Sequence, residues 1–98
     1  MPLKILYSQR AKLEYKRILF YVIQDFGLYK AIQIDRLFEK IIFQISINPG
    51  MYPVFNRKRN IRRCVISSQT SLYNRISGGN LELISFRGNL MNPNEINL

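Results

Sequence analysis

From Gln9 to Ile47 the chain reads QRAKLEYKRILFYVIQDFGLYKAIQIDRLFEKIIFQISI. Apolar residues recur there at steps of three and four, the period of a helix that buries one stripe. In Gln9–Phe26 the stripe is Ala11, Tyr15, Ile18, Leu19, Val22 and Phe26. Leu13, Phe20 and Ile23 fall off it, so this helix is apolar on more than one face. Ser8 offers an N-cap, although Ala11 stands where a capping box would carry an acid. Gly27 can take the left-handed conformation that closes a helix. A second helix, from about Tyr29 to about Ile47, has its stripe at Ala31, Ile34, Phe38, Ile41 and Ile45, flanked by Leu37 and Ile42. Asn48-Pro49-Gly50 ends it, because a residue before proline is pushed out of the helical region. The short link makes the pair an antiparallel helix hairpin.

Strand signals lie on either side. Leu3 to Tyr7 and Leu81 to Phe86 alternate, and Ile61–Ser67 and Leu72–Ile76 also read as strands. Ser77-Gly78-Gly79-Asn80 predicts a two-residue hairpin turn, since glycine takes positive φ at both central positions. Pro49 to Asn60 reads as irregular, and the polar stretch 87–98, with Pro93, as a loop or fraying end. The order β-α-α-β-β-β predicts an α+β domain, a helix hairpin packed on an antiparallel sheet. At 98 residues, it is a single domain, 1–98.

Composition removes several chemistries. The chain has no His, which excludes an imidazole base and a Ser-His-Asp triad. One cysteine, Cys64, allows no internal disulfide and no Cys-based zinc site. No metal or cofactor is expected. Sparse cysteine, no signal-peptide pattern and no run of membrane-spanning length point to the cytoplasm. With 15 Lys plus Arg against 6 Asp plus Glu, the net charge is +9. Such a balance predicts an acidic partner. Arg57-Lys58-Arg59-Asn60-Ile61-Arg62-Arg63 holds five cations in seven positions, a candidate surface for phosphates or an acidic protein.

The ordered set of segments resembles the RelE/ParE superfamily, the toxins of bacterial type II toxin–antitoxin systems, also known as plasmid stabilisation proteins. The resemblance rests on Ser8-Gln9-Arg10-Ala11-Lys12 opening the first helix and on Asn48-Pro49 with Met51-Tyr52-Pro53 after the second. It rests equally on the strands Ile61-Arg62-Arg63-Cys64-Val65-Ile66, Leu72-Tyr73-Asn74-Arg75-Ile76 and Leu83-Ile84-Ser85-Phe86. It implies growth inhibition by one of two routes. ParE-like members poison DNA gyrase; RelE-like members enter the ribosome and cut mRNA as metal-independent endoribonucleases. Either kind is silenced by a cognate antitoxin, so a hetero-oligomer with an acidic antitoxin is expected, away from membranes.

In the nuclease members, sheet cations and a C-terminal tyrosine do the chemistry. Arg62 matches one basic position, but Cys64 takes the next position on its face. Ser71 falls where another cation is expected, and the turn after the last strand reads Gly88-Asn89-Leu90-Met91 with Arg87 just before it. No tyrosine follows Tyr73. These departures favour the ParE-like route; for a nuclease the candidates would be Arg62, Arg75, Arg87 and Tyr73. Target- or phosphate-binding candidates are Arg57, Lys58, Arg59, Arg62, Arg63 and Arg75. Antitoxin-binding candidates are Leu13, Phe20 and Ile23, whose simpler role would be burial under a terminal segment. The simpler role of the basic cluster is a solvated loop guarding an edge strand, and that of Cys64, Tyr52 and Tyr73 is packing. A plain nucleic-acid-binding module and a chain that has lost toxicity are the other classes open from sequence.

Overall fold

A computed structural model describes residues 2–90 and 96–98 of the chain. The elements are β1 (Lys4–Tyr7), α1 (Gln9–Phe26), α2 (Leu28–Ile47), β2 (Val54–Asn56), β3 (Ile61–Val65), β4 (Thr70–Ser77) and β5 (Asn80–Gly88). Ser8 caps α1: its Oγ accepts the Ala11 N–H at 2.9 Å. The same hydroxyl donates to the Ile84 carbonyl at 2.7 Å, so the cap also fastens the helix to the sheet. Gly27 alone links the two helices. Its φ of 90° lies where L side chains are strained, as expected, but its ψ of 167° turns the chain sharply away from the left-handed helical region. Its N–H closes α1 on the Ile23 carbonyl, and its carbonyl opens α2 by accepting from Ala31.

The sheet runs β1-β5-β4-β3-β2. Three pairings are antiparallel, as expected, and β1 joins β5 in parallel, which makes the sheet mixed. That arrangement follows from the helix hairpin: it brings the chain back to the end of the sheet at which it left, so β1 can accept a parallel neighbour. Gly78 and Gly79 have φ of 58° and 78° and form the expected turn between β4 and β5. Two expectations change. The irregular stretch after Pro49 contains β2, a three-residue edge strand with a bulge, too short for period-two patterning to show. The segment from Arg87 is not simply a loose tail: β5 continues to Gly88, and Ile96 and Leu98 are buried. Pro93 lies outside the described residues.

The main core fills the space between the helices and one sheet face. Ala11, Phe38, Ile42 and Ile45 meet Cys64, Ile66, Leu72, Leu81, Leu83 and Phe86. Tyr15, Phe38 and Phe86 form its aromatic centre, with Phe38 and Phe86 stacked at 6.4 Å. Burying each such side chain contributes about 1.5–3 kcal/mol. A smaller cluster lies on the outer face of the sheet, where Ile61 and Tyr73 are covered by Ile96 and Leu98. Asn56 Nδ2 holds the Leu98 carbonyl at 3.2 Å.

The helix stripes are buried where the helices pack on the sheet and on each other, as at Val22 and Ala31, but not at the hairpin tip: Phe26, on the expected stripe of α1, is 66% exposed.

Candidate functional site

Beyond the aromatic core, α1 and α2 stand open toward the turn that joins β3 to β4. A groove of about 700 Å³ lies there. Its walls include Ile18, Tyr21, Phe26, Ile34 and Leu37, and Ser67, Gln69 and Thr70 border it from the sheet side. Arg17 and Lys30 bring positive charge to it. Leu13, Phe20 and Ile23 are exposed, at 56%, 66% and 40%, as a candidate contact surface requires. None of them lines the groove. Two aromatic groove residues are not legible from periodicity: the apolar period places Phe26 on the core stripe, and Tyr21 falls on no stripe.

Strand alternation divides the basic residues between the two sheet faces. Arg62 pairs with Asn74 in the register of β3 and β4, and Arg63 pairs with Tyr73. Arg62 therefore stands on the helix face with Cys64, and Arg63 on the outer face. A bulge in β5 at Ile84 brings Ser85 opposite Tyr73. Ser71, Tyr73 and Ser85 thus form a buried polar row, all at or below 1% exposure. Arg63 Nε donates to Ser71 Oγ at 3.2 Å, and Arg87 Nε donates to Ser85 Oγ at 2.6 Å. Burial raises the Tyr73 pKa, and the charges of Arg63 and Arg87 pull it the other way. Phe55 packs edge-on against the Tyr73 ring at 4.8 Å.

The nuclease candidates do not converge as a set. Arg62 is separated by the sheet from Tyr73, and its Nη1 donates to the Tyr52 carbonyl at 2.6 Å. Arg75 is paired with Glu82 at 2.8 Å. Arg87 lies 3.4 Å from Glu14, whose other carboxylate oxygen accepts from Ser85 Oγ and the Phe86 N–H. Arg57, Lys58 and Arg59 form the exposed turn between β2 and β3, closed by Asn60 at φ 55°. Among the described residues no cluster of His, Cys, Asp and Glu could hold a metal ion. No described helix is long and apolar enough to cross a membrane.

No family model and no curated protein matches the sequence. Solved structures do match. A chain of the chromosomal ParDE TA system from P. aeruginosa superposes with a TM-score of 0.73 at 12% identity, over 88% of this chain and 95% of that one. The chain has the RelE/ParE toxin fold. A chain of the YoeB-YefM complex from Staphylococcus aureus aligns at TM-score 0.58 and 14% identity, over 89% of this chain and 97% of that one. A conserved hypothetical protein from Helicobacter pylori aligns at 0.54 and 16%, over 89% and 94%. The expected resemblance therefore holds at the level of the fold. The toxin-like fold accommodates both surfaces described above, the groove on the helix hairpin and the polar row on the outer sheet face.

Proposed function

We propose that this chain is the toxin component of a type II toxin–antitoxin pair, ParE-like, that it inhibits growth by poisoning DNA gyrase, and that an acidic antitoxin silences it. The fold supports the toxin reading, since one of the structures that share it comes from a system named as a TA system and another from a two-protein complex, YoeB-YefM. The groove supports the antitoxin. It offers an apolar floor with Arg17 and Lys30 beside it, a surface for a partly disordered acidic segment that orders on contact. We place the antitoxin there, with Leu13, Phe20 and Ile23 as a second contact for a segment that continues around α1.

The observation that carries the ParE-like reading is the state of Tyr73. It is 1% exposed beneath Ile96 and Leu98, and Arg62 lies across the sheet from it. General acid–base chemistry needs a hydroxyl within reach of the substrate, and this one is covered. The experiment is induction in a bacterial host, with and without the product of the neighbouring reading frame. Growth arrest with gyrase-linked DNA breaks, relieved by the neighbour, is the expected result. Absence of arrest would reject the toxin reading.

One observation favours a second reading, the RelE-like ribosome-dependent endoribonuclease. Arg63, Tyr73 and Arg87 share the outer face, and two guanidiniums beside a phenol suit stabilisation of phosphate charge. Codon-positioned mRNA cleavage on programmed ribosomes would select it.

A further inference from the structure

We infer that a pocket on the helix face of the sheet, walled by Arg62, Asn74 and Asn60, binds a phosphate oxyanion. The pocket has a volume of about 90 Å³ and lies where the chain leaves α2, with Pro49 and Gly50 on its other side. Asn74 lines it, is 1% exposed, and its Nδ2 has no hydrogen-bond partner among the described residues. A buried amide without an acceptor is rare and costs free energy that a ligand oxygen recovers. Binding requires that amide to turn toward the pocket, and the terminal torsion of asparagine is broad enough to allow it. Arg62 supplies the charge: Nη1 is held by the Tyr52 carbonyl, and a guanidinium has five N–H donors in all.

Local electrostatics decide which ligand fits. Residues 40–81 contain seven Lys or Arg and no Asp or Glu. Arg57, Lys58 and Arg59 continue from Asn60 along the turn, so the pocket opens beside further cations. Two features oppose an anion: Glu82, which already neutralises Arg75, and the C-terminal end of α2 with its partial negative charge. Arg75 also lines the pocket and is matched by Glu82, so the remaining positive charge is that of Arg62 reduced by the helix end, which suits a singly charged phosphate. The site is on the other side of the sheet from Tyr73 and separate from the groove. It does not rest on the toxin reading, and either can fail alone.

The test uses the full chain labelled with ¹⁵N, titrated at constant ionic strength with inorganic phosphate and separately with oligothymidylate, a phosphodiester. Saturable amide shifts at Asn60, Arg62 and the Asn74 side chain are expected with at least one of them. Shifts with inorganic phosphate alone identify free phosphate as the ligand; shifts with the oligonucleotide identify a nucleic-acid backbone. Gly50 lines the pocket and has no atom within 4 Å of an added Cβ, so Gly50→Glu adds a negative charge at the pocket wall with no clash at Cβ. It should weaken binding at least tenfold, while Gly50→Gln should not. Asn74→Asp should abolish the shifts where it folds. Shifts that never saturate and spread along Arg57–Arg59, or binding unchanged by Gly50→Glu, would overturn the proposal.

Discussion

Arg63 and Tyr73 face each other across β3 and β4 on the outer side of the sheet, while Arg62 stands behind them on the helix side. This one-residue difference assigns adjacent arginines to different surfaces. It also separates the candidates for any chemistry at Tyr73 from those near α2.

The ParE-like reading makes the Tyr73 hydroxyl dispensable. Tyr73→Phe should keep growth arrest within about twofold of the parent, and purified protein should leave mRNA intact on programmed ribosomes. Loss of arrest in a variant that retains its circular dichroism spectrum would instead give the hydroxyl a catalytic part.

Groove substitutions should separate binding from folding. Tyr21 and Phe26 are exposed, so Tyr21→Glu or Phe26→Glu should change stability by less than about 1 kcal/mol. Either should weaken antitoxin binding at least tenfold in calorimetry. Phe20→Glu, outside the groove, should have a smaller effect; the reverse order would move the primary contact to the outer face of α1.

Phe38 is 2% exposed and packs between Tyr15 and Phe86. Phe38→Ala should cost about 3–5 kcal/mol in chemical denaturation. A loss under ~1 kcal/mol would contradict its place at the centre of the core.

Glu14 reaches from α1 to the edge of β5, where its carboxylate accepts from Ser85 and from the Phe86 N–H. Glu14→Ala leaves both donors without it and should cost about 2–3 kcal/mol. Urea midpoints for the two proteins test this directly.

Stability should fall in alkali. Burial, reinforced by the hydrogen bond to Asp35, raises the Tyr15 pKa above the ordinary value of 10.0, and burial raises Tyr7 and Tyr73 likewise. The folded protein holds these protons after the unfolded chain has released them. Stability is therefore full below that ordinary value and declines as pH rises above it. Melting temperatures from pH 7 to 11 should show the decline, and Tyr15→Phe should make it shallower. A flat profile would mean the phenols ionise freely in the fold.

The sequence by itself determined the helix hairpin, the positions along the chain of four of the five strands and the tight turn at Gly78-Gly79. Each rests on a local cause: a 3.6-residue apolar period, a proline after Asn48, or positive φ at glycine. It also set the charge excess and excluded histidine and disulfide chemistry. β2 was hidden because three residues at a bulged edge carry no readable period. Tertiary structure alone decided that Phe26 is exposed, since a stripe predicts burial only where another element covers it. It alone brought Ile96 and Leu98 over Tyr73, a contact between residues far apart in the chain that no local pattern encodes. The site divided in the same way. The cations were visible as letters, but which of them share a face depends on strand register and on the bulge in β5, and register is fixed by long-range pairing and packing.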